Sequence, residues 1–410
     1  MRVFKRPDNR ILYFILTTLY TVGFMFCSGT ILQTFMLSTG MSDATVSVYS
    51  AVTQFVQVVV ILAMTFLADK LKNVLKVYAF SVLAMSLIAV SLVFCVFIRS
   101  DLTAVKIIIF ASSVVVYFMF GVRQAVDYKI VYEIFDMSTL GKLMGVVMAV
   151  SGLAAFGVSA VYSYAITKFD YYDVMTVFFI LSAVMMILAA VAGFSYKRVN
   201  EVPESEKRRG LDFSAFKDKV TRSLAVPSFV RGFANGVVAL ITVAGFSSGI
   251  LSTQSSTYVS IITQAVTFLG FIFFAVLCRR ITNKTMLLVS SVVIAATLPL
   301  TVLRGTLADF LVFYAVSYFS VIVASIALPM LACEIVPYEQ MGSFTCVRMM
   351  LFTFGSVIAS VLFKPLSDLI GFVWLFVIAG VCQAICGIVH FIVARRVQKP
   401  ACDEKTETIK

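Results

Sequence analysis

The chain has 410 residues, of which 60% are hydrophobic and 13% charged, with 38 Phe, 18 Met, a formal net charge of +12 and a mean hydropathy of +1.00. Soluble domains are about 45–50% apolar and about 25% charged, so this composition excludes a water-soluble globular fold. A helical crossing of a bilayer needs about 20 apolar residues, runs of that length recur along the whole sequence, and helices satisfy their own backbone, which predicts an all-α integral membrane protein.

The first apolar run follows the basic segment Met1 to Arg10. Its flank resembles a signal peptide, yet the run continues from Ile11 to about Met36 without a small-residue cleavage site, so a retained first span is expected. Cys27 follows Phe26 rather than a small residue, which argues against a lipoprotein cleavage box. Further windows follow near 45–68, 74–98, 104–126, 143–166 and 172–195, and then near 224–250, 256–278, 285–304, 307–332, 346–364 and 371–394. About twelve transmembrane helices are therefore expected. The stretch from Tyr196 to Arg222 contains KRVNEVPESEKRRG and reads as a solvated linker. The expected organisation is a six-helix bundle over 1–196, a cytoplasmic linker over 197–222, a second six-helix bundle over 223–397 and a cytoplasmic tail over 398–410.

With the N-terminus inside, about 25 of the 33 Lys and Arg fall on the cytoplasmic side, while Arg99, Lys106, Lys168, Arg304 and Lys364 fall outside. Both termini are thus expected in the cytoplasm, and the net charge is topological. A nucleic-acid partner would require basic residues gathered on one folded surface with stacking aromatics, so none is expected. The eight cysteines are scattered, most of them inside apolar runs, which suggests neither a disulfide framework nor a zinc site. Cys382 and Cys386 share a helix face as small packing residues. No metal or cofactor is expected.

The two halves resemble one another. Ser50 to Gln54 reads SAVTQ, and 210 residues later Ser260 to Gln264 reads SIITQ. Glu133-Ile134 with Gly141 is answered 201 residues later by Glu334-Ile335 with Gly342. Matches in the same order and at the same place in each half support duplication of a six-span unit, an architecture of parallel repeats known among transporters.

The loop after the second span reads TFLADKLKNVLK, with Asp69, Lys70 and Lys72, and its counterpart LCRRITNK keeps Arg279, Arg280 and Lys284 without an acid. After the fourth span comes EIFDMSTLGKLMG, with Glu133, Gly141, Lys142 and Gly145, and after the tenth EIVPYEQMGSF, with Glu334, Pro337 and Gly342. These loops, together with span count and repeat, resemble the major facilitator superfamily of secondary transporters over nearly the whole chain. The sequence departs from the family pattern at Thr65 and Lys72, where glycines are usual, and at Leu140, where an arginine is expected and Lys142 is the stand-in. The resemblance implies alternating access, with cytoplasmic charge clusters locking one arrangement. Asp69, Lys70, Glu133, Lys142 and Glu334 are the gating candidates, since ion pairs made in one arrangement and broken in another give each state a different free energy. A solvated loop charge worth about 0–1 kcal/mol is the plainer reading of each.

An ionisable group inside a span is costly and marks a functional site by default. Arg123 lies in FMFGVRQAVDYK with Asp127 one helical turn on, either as an internal ion pair or as a substrate or coupling-ion site. Arg231 and Asn235 are likewise one turn apart in a seventh span interrupted by Pro227, Gly232 and Gly236, and the first span has Gly23 and Gly29. Such interruptions in corresponding spans point toward a binding site, whereas an Arg231 that snorkels to the cytoplasmic interface is the alternative. Gln33 and Gln264 are the preferred amides for sugar hydroxyls among several glutamines that can equally bridge helices. His390, close to the end of the last window, is expected at the interface rather than as a proton relay.

The chain carries no HExxH motif, no paired mid-membrane aspartates, no serine with a plausible histidine partner and no Walker A loop, so it is not expected to be an enzyme or an ATP-driven pump. The expected function is gradient-driven transport of a small organic solute across the cell (plasma) membrane by a monomer, coupled to a proton or sodium ion. A sugar or glycoside is the first choice, an organic anion the second, and a drug or lipid exporter the third. A non-transporting sensor or scaffold on the same fold is the reading from a different class.

Overall fold

The computed structural model describes residues 8–67, 71, 73–134, 137–197, 219–277, 280–336 and 338–397. Among them there is no strand. Fifteen helices follow one another: α1 (Asn9–Phe26), α2 (Gly29–Ser38), α3 (Asp43–Leu67), α4 (Val74–Phe97), α5 (Leu102–Ile134), α6 (Met137–Lys168), α7 (Tyr171–Phe194), α8 (Lys219–Ala225), α9 (Pro227–Ala239), α10 (Ile241–Ser247), α11 (Ser256–Leu277), α12 (Asn283–Thr297), α13 (Leu300–Leu303), α14 (Leu307–Ile335) and α15 (Tyr338–Val397). Among the described residues, ten helical stretches are long and apolar enough to cross a membrane, eleven if the pair bent by 42° at Leu240 is one span. The last stretch is two helices meeting at Gly371, whose φ of 81° and ψ of 160° are open to glycine and strained for other residues. The chain packs as two compact units, Met1–Gly210 with Leu251–Phe268, and Leu211–Ile250 with Leu269–Lys410.

The surface is that of a protein solvated by lipid. Leu369 is 79% exposed and Phe97 72%, and many more large apolar side chains along the spans point outward. Hydroxyls inside the spans return to their own helix: Ser112 Oγ donates to Ile108 O at 2.7 Å, Thr176 Oγ1 to Tyr172 O at 2.9 Å and Thr263 Oγ1 to Val259 O at 2.7 Å. No polar group is thereby left facing hydrocarbon at these positions. Helix starts are capped as their sequences dictate. Asp101 Oδ1 accepts from the amides of Thr103 and Ala104 at 3.1 and 3.0 Å, and Thr306 Oγ1 accepts from that of Asp309 at 3.2 Å.

In the first unit α1 packs on α6 and α7, and α4 lies against α5 and α7. Asn9, buried at the start of α1, donates from Nδ2 to Lys197 O at 2.7 Å and accepts the Lys197 amide at 3.0 Å, so one side chain joins the unit's first helix to the exit of its last span. In the second unit α9 packs on α15 through glycines. A Cβ on Gly232 would overlap Phe352 O, one on Gly355 would overlap Phe229 O, and one on Gly236 would sit 2.7 Å from both Ala359 Cβ and Ser356 O. Backbone meets backbone along this seam, the close approach that small residues four apart permit.

The repeat is visible in local geometry. The first span breaks between α1 and α2, where Gly29 has φ +57°, and the seventh breaks at Leu240 between α9 and α10. Both second pieces then end in the same closure. Gly40 (φ 91°) donates to Leu37 O and Met41 to Met36 O; 209 residues later Gly249 (φ 68°) donates to Phe246 O and Ile250 to Gly245 O. Each closure is followed by a hydroxyl pair that starts the next span, Ser42 with Thr45 at 3.0 Å and Ser252 with Ser255 at 3.2 Å.

Candidate functional site

Arg123, Arg231, Asn235, Gln33, Gln264 and Glu334 are described with their side chains. Asp69 and Lys70, and the side chains of Asp127 and Glu133 on α5 and of Lys142 on α6, lie outside the described residues.

Arg123 sits half-buried on α5 in the first unit, and aromatic rings hold it. Its guanidinium lies 3.8 Å from the centroid of the Tyr20 ring on α1 and 5.5 Å from that of Tyr78 on α4, and its Nε donates to Tyr78 Oη at 3.3 Å. A cation against a ring face in a desolvated setting is stabilised by up to about 2 kcal/mol. Tyr20 is itself stacked on Phe24 at 5.4 Å, and Phe24 on Phe120 at 5.5 Å. The rings therefore form a wall, with Arg123 at one end. Beside it on α5, Gln124 accepts through Oε1 from Gln57 Nε2 at 2.6 Å, an amide bridge between α3 and α5 of the kind that joins helices in a bilayer.

Arg231, in the second unit, is in a different situation. It follows from the glycine seam that α9 presses against α15, and Arg231, next to Gly232, is carried inside with it. The side chain is 6% exposed and its Nη1 has no hydrogen-bond partner. This corrects the snorkelling reading, because protein rather than headgroup or water covers the guanidinium. Among the described residues, the groups within its electrostatic reach are Arg348, half-buried on the first part of α15, and Cys386 and the fully buried His390 on the second part. The expectation of an interfacial His390 is likewise corrected. Its Nε2 lies 3.1 Å from Leu224 O at the end of α8 and its Nδ1 2.7 Å from Cys386 O, while Cys386 Sγ donates to Pro227 O at 3.2 Å. These contacts tie α8, α9 and the end of α15 together around Arg231. Among the described residues no carboxylate acts on Arg231. Asn235, one turn further along α9, is half-buried.

Gln33 is buried on α2, just past the break in the first span, and Gln264 is half-buried on α11. Glu334, at the end of α14, is exposed and accepts from Asn283 Nδ2 at 2.6 Å, so the start of α12 and the end of α14 are joined. Tyr20 and Tyr78 were missed from sequence, as were Arg348 and His390 as neighbours of Arg231. Arg348 left a signal, since it stands just inside an apolar window where a charge is expensive. Tyr20 and Tyr78 left none, because one tyrosine among many gives no sign of which ring faces a cation.

A family model described as Major Facilitator Superfamily matches residues 13–360. The chain belongs to the Major Facilitator Superfamily. Among solved structures, this superfamily member is similar to a bacterial homolog of the human lysosomal transporter Spinster in an inward-facing and unoccupied conformation, with a TM-score of 0.67 and 14% identity over 96% of this chain and 98% of the other. It is also similar to the E. coli fucose:proton symporter FucP, with a TM-score of 0.63 and 13% identity over 95% of this chain and 98% of that one. At such identity the likeness is one of fold. No curated protein matches the chain by sequence. As a superfamily member with apolar, lipid-facing helices it is a multi-pass membrane protein with a transporter fold.

Proposed function

We propose that this superfamily member is a secondary active transporter that moves a small organic solute by alternating access. The observation that carries the reading is the repeated broken helix: the first and seventh spans are each interrupted and each end in the same glycine closure, 209 residues apart. Broken helices in corresponding spans of two repeats accompany solute sites in secondary transporters, because interrupted backbone is tolerated in a bilayer only where protein or a water-filled cavity receives it.

The division of the last stretch at Gly371 and the bent pair at Leu240 support twelve crossings, and the Lys and Arg distribution supports cytoplasmic termini. In this reading the bundles span 1–196 and 223–397, and the protein works as a monomer in the plasma membrane, coupled to a proton or sodium ion. The sugar assignment is supported by Gln33 and Gln264 and by a fold shared with a fucose:proton symporter. The organic-anion assignment has the more specific support, the buried and unpartnered Nη1 of Arg231.

Reconstitution into liposomes tests the function. Uptake of one solute class, driven by an imposed proton or sodium gradient and lost when that gradient is dissipated, is the expected result. Ligand binding by purified protein with no flux under any gradient would refute transport in favour of a sensor or scaffold.

A further inference from the structure

We propose that Ser163 and Thr257 form a latch between the end of α6 and the start of α11, which holds the solute path shut at that end and parts in the transport cycle. The latch rests on the transport reading for its role, and on the geometry of the first unit for its existence.

In the proposed organisation α11 belongs to the second bundle, yet its first part, up to Phe268, packs in the first unit, and only from Leu269 onward does it pack in the second. Two contacts join that first part to α6. Ser163 Oγ lies 2.8 Å from Thr257 Oγ1, with both residues buried, and a Cβ on Gly152 would lie 3.5 Å from Phe268 Cβ and 3.6 Å from its Cα. The contacts are eleven residues apart on each helix and in opposite order, so α6 and α11 run antiparallel here, face to face over about three turns. Gln264, a candidate solute amide, is two turns beyond Thr257 on the same face of α11. In the topology proposed above, the end of α6 and the start of α11 face away from the cytoplasm, so the latch closes the outer end.

What suits this pair to part is the route of its protons. Thr257 Oγ1 donates to Gln254 O at 2.8 Å. A hydroxyl has one proton, so the hydrogen bond across the two helices is donated by Ser163. On separation Thr257 keeps its bond to Gln254, and Ser163 turns to the carbonyl of Ser159 one turn back, as Ser112, Thr176 and Thr263 already do in their own spans. No polar group is then stranded in hydrocarbon. A buried ion pair at the same place would be far more costly to break. The repeat supplies the parted form: Ser47 stands in α3 where Thr257 stands in α11, 210 residues earlier, and its hydroxyl donates to Asp43 O of its own chain at 2.9 Å.

A first experiment needs no transport. Ser260→Cys, at a buried position one turn along the face of Thr257, is the reporter, and its reaction with a water-soluble maleimide is followed by mass spectrometry in detergent, with the unaltered chain as background. Ser163→Ala and Thr257→Val should each raise the labelling rate about threefold, the worth of an average hydrogen bond between membrane helices, and the two together no further. Thr257→Ser, which keeps the hydroxyl, should leave the rate unaltered. Unchanged rates in Ser163→Ala and Thr257→Val, or effects that multiply when the two are combined, would overturn the latch.

A second experiment oxidises Ser163→Cys with Thr257→Cys in proteoliposomes, with labelled glucose and succinate as probes of the two solute classes. A disulfide between the two peptides, arrest of gradient-driven uptake and recovery on reduction are expected. Failure of the disulfide to form would overturn the contact. Full uptake with the disulfide in place would overturn the latch and leave the transporter. Uptake of neither probe, alongside the expected labelling pattern, would leave the latch and remove the transport reading for both classes.

Discussion

If Arg123 is held by the face of Tyr20, removing either partner should remove the same interaction. The ring-to-cation distance of 3.8 Å is a close face contact, and both groups lie away from bulk water, Tyr20 buried and Arg123 half-buried. That geometry is worth about 2 kcal/mol. Tyr20→Leu also loses packing against Phe24, and Arg123→Gln also loses the bond to Tyr78, so neither single variant isolates the contact. The double variant does. In a cycle of Tyr20→Leu, Arg123→Gln and both together, the combined loss should fall short of the sum by about 2 kcal/mol. Expressed in unfolding midpoints of detergent-solubilised protein, the shortfall is about 4–8 °C at roughly 2–4 °C per kcal/mol. Tyr20→Phe keeps the ring face and should change little. Losses that add to within about 0.5 kcal/mol would refute the cation–ring account.

Gly232→Val should destabilise the second unit by about 3 kcal/mol or more, because the seam against Phe352 has no room even for a methyl group, while Gly157→Ala, which meets open space, should be neutral or mildly stabilising in the same unfolding assay. Asn9→Ala should cost about 1–3 kcal/mol through loss of both bonds to Lys197, and Asn9→Asp, which keeps the acceptor alone, should fall between; an unchanged midpoint in Asn9→Ala would show that the clasp is not holding the unit. Glu334→Gln keeps an acceptor for Asn283 and should retain turnover in proteoliposomes, whereas Glu334→Ala should slow it; equal loss in both variants would make the negative charge, not the bond, the operative feature.

The helical class was legible from composition, since repeated runs of about 20 apolar residues have one physical outcome in a bilayer. The repeat could be read at Gln54 and Gln264 because the residues were retained. It could not be read at Gly40 and Gly249, because single glycines among 21 carry no register until the φ values show them closing the same turn. Within the sites, sequence found the expensive groups, Arg123 and Arg231, because charge in an apolar run is conspicuous. What surrounds each one depends on contacts between helices far apart in the chain. The Tyr20 ring reaches Arg123 across 103 positions, and His390 reaches Leu224 across 166. Helical periodicity says which residues share a face and nothing about which face meets which.

The glycine seam also fixes a length. Gly232 and Gly355 bring two main chains together with no side chain between them to compress or re-rotamerise. The spacing of α9 and α15 is therefore set by main chain against main chain, as by a caliper whose jaws cannot slip. A methyl group added at Gly232 or Gly355 would have to push one helix away from the other, because no side chain lies between them to turn aside.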